Sequence, residues 1–221
     1  MTWTQQSIFF IDFEGSRGSG ILEYGVATLL GAQITEAKTR LCGATGRVRP
    51  EDTEVHGLRA DALAGAAPIS ADWEYFAGLR ERGPFAAHYA GVENGLLKSV
   101  WPYPRPSPDF TRSGERVIDW GPWIDSARLC ALFYPPAESG RLEALVAARG
   151  LQAELDALAV EHCPPARRRY HAALYDALAG ALLLRAIGRE PQGEKLTLRQ
   201  VFTLSTQDPD KRDALTQEKF W

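Results

Sequence analysis

The 221-residue chain is poor in cysteine, and its three cysteines, Cys42, Cys130 and Cys163, lie far apart. An odd number with no close pair excludes a disulfide framework and a zinc-knuckle spacing. Three free thiols are expected, as in a reducing, cytoplasmic location. No run of about 18 apolar residues occurs, so neither a membrane span nor a membrane partner is expected. The opening residues, Met1 to Gln6, carry no basic cluster of the kind that begins a secretory leader. Positive charge is not in excess either: 25 Lys and Arg face 28 Asp and Glu, a formal net charge of −3. Proteins that coat nucleic acid through phosphate contacts alone are usually basic, so that class is disfavoured. A nuclease is not, because its carboxylates recruit cations that then meet the phosphate. No internal repeat is present.

What remains is an ordinary globular mix, 45% hydrophobic and 24% charged. Such a chain buries a core without help from a disulfide or structural metal. Ser7 to Phe13 (SIFFIDF) reads as a buried strand. A glycine-rich turn follows, then strand patterns over Ile21 to Leu30 and Gln33 to Cys42, giving an antiparallel meander. Arg49 to Ala67 reads as loop and short helix. Ser70 is positioned to cap a helix running to about Arg82. Phe85 to Tyr89 is the next strand and Gly91 to Trp101 the next helix. Proline at every second position from Trp101 to Pro108 forbids helix and central strand, so an extended loop is expected. Val117 to Asp125 returns to the core. Ser126 to Phe133, Gly140 to Arg149, Ala172 to Ile187 and about Leu198 to Leu204 read as helices, with a break at Pro164-Pro165. Strands first, then strand and helix in alternation, indicate an α/β fold: a mixed sheet with helices on its faces. The expected division is a domain over 1–190, with a proline-rich insertion at about 101–116, and a C-terminal extension over 191–221.

Several acids stand where chemistry could use them. Asp12 and Glu14 are two apart on one strand, so both point to one face. A cation would make that pair tolerable, and two solvated acids at a strand end account for it equally well. Asp176 interrupts an Ala/Leu-rich helix, either as a functional acid or as its wet side. Glu93 falls in the first turn of a helix, where the helix N-terminus alone favours a carboxylate. His171 precedes Asp176 by five positions, about 140° on a continuous helix, so the two converge only if the helix starts after the histidine. The run Arg167-Arg168-Arg169 suits a loop near phosphates or a solvated basic turn.

In order and spacing these places resemble the DEDDh family of 3′–5′ exonucleases, which includes the proofreading subunits of bacterial replicative polymerases. The family's Asp-x-Glu motif reads Asp12-Phe13-Glu14 here. Ile21-Leu22-Glu23-Tyr24-Gly25 is similar to the stretch that follows it, and Val55-His56-Gly57-Leu58 to the Val-His-Gly segment. His88-Tyr89-Ala90-Gly91-Val92-Glu93 resembles the second motif, with Glu93 in place of its aspartate and Tyr89 in place of its asparagine. Ile124-Asp125-Ser126 resembles the next segment, and His171 to Asp176 the His-x4-Asp motif. The resemblance covers roughly residues 7 to 187.

It implies an RNase H-like fold, a mixed five-stranded sheet with a three-strand antiparallel meander and helices on both faces. It also implies hydrolysis at the 3′ end of DNA or RNA with two Mg²⁺ or Mn²⁺ ions. Asp12 would bridge both ions, Glu14 and Asp176 would hold the one that carries the attacking water, and Glu93 would support the other. His171 would take the water's proton. The general physics is compatible: paired ions can activate a nucleophile and stabilise the leaving oxygen, and oxygen ligands favour these metals over zinc. Gly15, Ser16, Leu22 and His88 are the expected substrate contacts. The implied partner is a single-stranded 3′ end, with a polymerase partner or a homodimer compatible with the family.

The proline-rich segment, with Arg105, Arg112 and Arg116 nearby, either grips a strand or is a solvent-exposed insertion. The second is the more common fate of a loop decoration. A catalytically weakened nucleic-acid-binding relative is the principal rival. A dinucleotide-binding turn is disfavoured, because Gly15, Gly18 and Gly20 are misspaced and are followed by a strand. A serine hydrolase built on Gly18-Ser19-Gly20 lacks the nucleophile elbow.

Overall fold

The apolar first strand fixes the centre of the molecule. In a computed structural model, which describes residues 2–31, 33–135, 139–206, 208 and 210, β1 (Ile8–Ser16) lies in the middle of a five-stranded sheet. Its antiparallel neighbour is β2 (Gly20–Leu30), which in turn pairs antiparallel with β3 (Gln33–Leu41). On its other side β4 (Phe85–Ala87) and β7 (Ile124–Asp125) run parallel to it. The order is β3-β2-β1-β4-β7, the mixed sheet and meander expected from the sequence. Between β4 and β7, Ser107–Pro108 (β5) and Arg116–Val117 (β6) form a separate two-stranded ribbon.

Both faces of the sheet are covered, and the period-two alternation of β1 shows why. Ile8 and Phe10 join one core with Ala27 and Leu29 of β2. Phe9, Ile11 and Phe13 join the other with Tyr24 and Val26. The second core is closed by α2 (Trp73–Arg82) and α3 (Ala90–Val100). The first is closed by α7 (Ala173–Arg189), backed by α4 (Ser126–Phe133), α5 (Leu142–Ala148) and α6 (Gln152–His162). Fourteen of the seventeen residues of α7 are buried, as expected of a helix apolar all round. It lies close on the sheet because two positions lack a Cβ. A side chain at Gly180 would collide with the Phe10 ring, and one at Gly25 with the backbone of Ala173 and Leu174.

Several boundaries differ from the sequence reading. The helix expected from Ser70 begins at Trp73, after a 3-10 turn over Ile69–Asp72. Its N-terminal residue Asp72 makes no cap bond, since Arg40 of β3 takes its carboxylate in an ion pair. The strand at Phe85 stops at Ala87, because Tyr89 turns left-handed (φ 60°) to start α3. Helix α6 was not foreseen: its apolar residues are scattered around the helix, and only Leu155 and Ala159 are buried. The segment from Trp101 is more than a solvated decoration. Ser107, Asp109 and Trp120 are buried, and Arg80 of α2 donates to the carbonyls of Pro108, Trp120 and Gly121.

Within 191–206, α8 (Pro191–Glu194) and α9 (Leu198–Ser205) follow α7 directly, and Val201 and Phe202 join its core. Trp3 donates its indole N–H to Gly193 O at 2.8 Å. The Pro50–His56 helix (α1) precedes the motif glycine Gly57. Cys42, Cys130 and Cys163 are all free and buried. Among the described residues no helix is long and apolar enough to cross a membrane.

Candidate active site

Asp12 and Glu14 continue the even-numbered series of β1 whose earlier members, Ile8 and Phe10, pack toward α7. Asp176 comes from the first turns of α7. Ligand atoms of Glu14, His171 and Asp176 all lie within 4.8 Å of one another. Glu93 arrives from the first turn of α3, and its Oε2 accepts from the Phe13 backbone N–H at 3.1 Å. The five expected catalytic residues therefore gather at the carboxyl end of β1.

His171 reaches the group because α7 starts at Ala173 and His171 is left-handed (φ 60°). The chain turns before the helix begins, so the 140° separation of a continuous helix does not apply. The turn is held from both ends. His171 N–H donates to Asp176 Oδ2 at 3.0 Å, and His171 O accepts from Arg167 at 3.1 Å. The histidine ring is exposed, whereas Glu14, Glu93 and Asp176 are buried.

Like charges at this density oppose one another's ionisation. Burial, then the charges of Glu93 and Asp176, hold the Asp12 carboxyl well above its ordinary value. Burial, then Asp176 and Glu23, push Glu14 up to about 8, with Arg167 and Arg169 pulling the other way. Burial, then Glu14, raises Glu93 to about 8 against the bond from Phe13. Burial raises Asp176 to about 7, opposed by the His171 N–H and by Arg167. Asp176 Oδ1 is buried with no hydrogen-bond partner. Four crowded carboxylates, one with an orphaned oxygen, form a donor set fitted to hard divalent cations.

The substrate contacts expected from the sequence are dispersed. Gly15 sits at the bulge where β1 slips against β2, and Ser16 hydrogen-bonds with Ser19 across the hairpin tip, both adjoining Glu14. Leu22 is fully buried with Leu58 and Leu63. His88 is also buried, its ring held between Ser126 Oγ at 2.9 Å and Gly140 O at 3.0 Å, and burial lowers its pKa. Neither residue presents a surface to a strand.

Three supports of the site were not singled out for these roles from the sequence. Glu23 stands opposite Glu14 in the β1–β2 register, accepts from Ala173 N–H at 3.1 Å and pairs with Arg167. It thus ties the start of α7 to the sheet. Pairing extrapolated from the turn at residues 17–19 would set Leu22 opposite Glu14, and only the bulge between Glu14 and Gly15 brings Glu23 there. Arg167 also donates to His56 O at 2.6 Å, which docks the α1–Gly57 segment beneath the His171 turn. Asp125 accepts from Ala127 N–H at 3.0 Å at the start of α4 and from Ala90 N–H at 3.1 Å at the start of α3. It holds the helix that carries Glu93.

No family model matches the chain, and no curated protein matches it. Solved structures do. Exonuclease X, solved with 5′-overhanging duplex DNA, aligns with a TM-score of 0.65 at 20% identity, over 90% of this chain and 99% of that one. Exonuclease I from Methylocaldum szegediense aligns with a TM-score of 0.61 at 17% identity, over 85% of this chain. E. coli exonuclease I, solved with a dT13 oligonucleotide, aligns with a TM-score of 0.58 at 13% identity, over 84%. This chain spans 42% and 41% of those two exonuclease I chains. Likeness of this extent at such low identity shows that the chain has the RNase H-like fold of these exonucleases.

Proposed function

We propose that the protein is a metal-dependent nuclease that removes nucleotides from the 3′ end of a nucleic-acid strand. The observation that carries the reading is the convergence of Glu14, His171 and Asp176 within 4.8 Å, beside two further carboxylates whose ionisation the protein itself opposes. Exonucleases X and I share the fold and were solved with DNA, which supports a nucleic-acid substrate.

Asp12, Glu14, Glu93 and Asp176 would hold two divalent cations of the Mg²⁺ or Mn²⁺ kind. Such ions, when bound, supply the positive charge that activates water and stabilises a leaving 3′ oxygen. The chain's own residues do the rest. His171, exposed at the rim, takes a proton from the attacking water on a ring nitrogen. Asp176 holds the His171 backbone in place, and Glu23 fixes the start of the helix that bears Asp176. Three unpaired thiols suit a reducing compartment.

One observation favours a second reading, a weakened nucleic-acid-binding relative. Glu93 stands where the resembled family has aspartate, and one of its oxygens is already taken by Phe13 N–H. A time course on end-labelled single-stranded DNA and RNA, in Mg²⁺, Mn²⁺ or EDTA and beside Asp12→Ala, separates the two. A ladder shortening from the 3′ end, abolished by EDTA and by the substitution, is the expected result. Intact strands under every metal, from folded protein, would favour the second reading.

A further inference from the structure

A cavity of about 690 Å³ opens beside the first turn of α3. That is the size of a small-molecule site, roughly 300–1,000 Å³. None of the five clustered residues lines it, but Glu93 sits in sequence between two residues that do, Val92 and Asn94. The segment beyond Trp101 supplies another wall through Val117, Pro122 and Trp123. The cavity thus lies against the helix that carries Glu93 and is built in part by the proline-rich insertion and the chain that follows it.

The lining says what it accepts. Tyr89 is 51% and Val92 60% exposed, two large apolar groups left uncovered around one hollow. Tyr89 is held there against a left-handed backbone. Its ring packs on His88 with centroids 4.7 Å apart, and its hydroxyl donates to Gly140 O at 3.1 Å. A strained residue that its neighbours over-determine is a mark of functional geometry.

Charge narrows the choice further. Asp109, Asp119 and Asp125 outnumber Lys98 and Arg112 in the lining. Lys98 is already paired with Asp119 at 3.2 Å, and Arg112 with Glu115 at 3.8 Å. A phosphate is repelled here, while an uncharged ring is not. Two lining residues carry buried polar atoms without partners, the Trp123 indole N–H and Asn94 Oδ1. A donor and an acceptor left open is the pattern that the edge of a nucleobase completes.

We propose that this cavity receives one nucleobase of the strand being trimmed, splayed from its neighbours, while the phosphodiester stays at the carboxylates. The proposal rests on the nuclease reading above. Its test is the binding of full-length protein, with Ca²⁺ in place of Mg²⁺, to single-stranded oligonucleotides. Each oligonucleotide carries one abasic site at the first, second, third or fourth position from the 3′ end.

Loss of one particular base is expected to weaken binding about 5- to 150-fold, the range for one stacked base. Tyr89→Gly, which relieves the left-handed backbone, and Val92→Asp, at an exposed position, are expected to abolish that discrimination with folding intact. Equal binding of all abasic strands by the native protein would overturn the proposal, as would unchanged discrimination in both variants. Hydrolysis of a nucleoside 5′-phosphate nitrophenyl ester, which has no second base, is measured in parallel with Mn²⁺. If the ester is cut and discrimination is absent, the cavity proposal fails alone. If the ester and all strands stay intact, the nuclease reading fails, and with it the proposal.

Discussion

Two of the places where the molecule buries charge treat it in opposite ways. Under the insertion, the Arg80 guanidinium is 1% exposed, and burial lowers its pKa to about 10. The protein surrounds that charge with hydrogen-bond acceptors. The carbonyls of Pro108, Trp120 and Gly121 accept from it, and the Phe110 ring lies 4.9 Å away. At the end of β1, Asp12, Glu14, Glu93 and Asp176 crowd together with little in return, and one Asp176 oxygen has no partner at all. A buried charge that the chain satisfies is structure. A cluster that it leaves unsatisfied is waiting for something from outside.

The comparison is sharpened most by activity. His171→Ala is expected to lower turnover by roughly 10²–10⁴-fold with the fold intact, because the exposed ring supports no packing. Near-native turnover in single-turnover assays would remove His171 from the chemistry. On the structural side, Arg80→Met leaves three carbonyls without a donor. It is expected to cost about 3 kcal/mol by urea unfolding, and a change below about 1 kcal/mol would mean that the insertion is not anchored there. Glu23→Gln keeps the shape but weakens the tie to Arg167. A loss of about 10- to 100-fold in activity, with little change in Tm, is expected of a residue that orients a metal ligand.

The smallest effect is the most diagnostic. Each of the four carboxylates has a folded pKa above its unfolded value. The stabilising contribution of Glu14, Glu93 and Asp176 is therefore present below about pH 4 and is lost as pH rises through about 7–8, and Asp12 acts in the same direction. His56 and His88, lowered by burial, act the other way, and their contribution is lost only as pH falls below about 6.5. Between about pH 6.5 and 8.5 the metal-free protein should lose Tm, and Mn²⁺ should restore it. Asp12→Asn should raise metal-free Tm at about pH 8 by about 2–6 °C, on the order of 1–2 kcal/mol in a chain of this size, while abolishing activity. A lower Tm in that variant would make the acids structural, like Arg80.

Much of the architecture was legible because it depends on local pattern. The alternation of SIFFIDF and of the two strands after it specifies a meander whatever surrounds it. Density of Ala and Leu made α7 plain, while α6 escaped because its apolar residues do not define a face. The helix expected from Ser70 starts only at Trp73, and the carboxylate then at its N-terminus, that of Asp72, is claimed by Arg40, 32 positions earlier in sequence. Leu22 was placed at the substrate by motif position, yet its side chain belongs to the cluster with Leu58 and Leu63.

By itself the sequence determined that Asp12 and Glu14 share a face, that Glu93 opens a helix and that Asp176 interrupts an apolar one. Each of these follows from the spacing of residues along one element. Only the tertiary structure decided that the acids meet. It brought α7 onto β2 at Gly25, turned His171 left-handed ahead of its helix, and set Glu23 beneath both. Contacts across 80 to 150 positions make the site, and no local period encodes them.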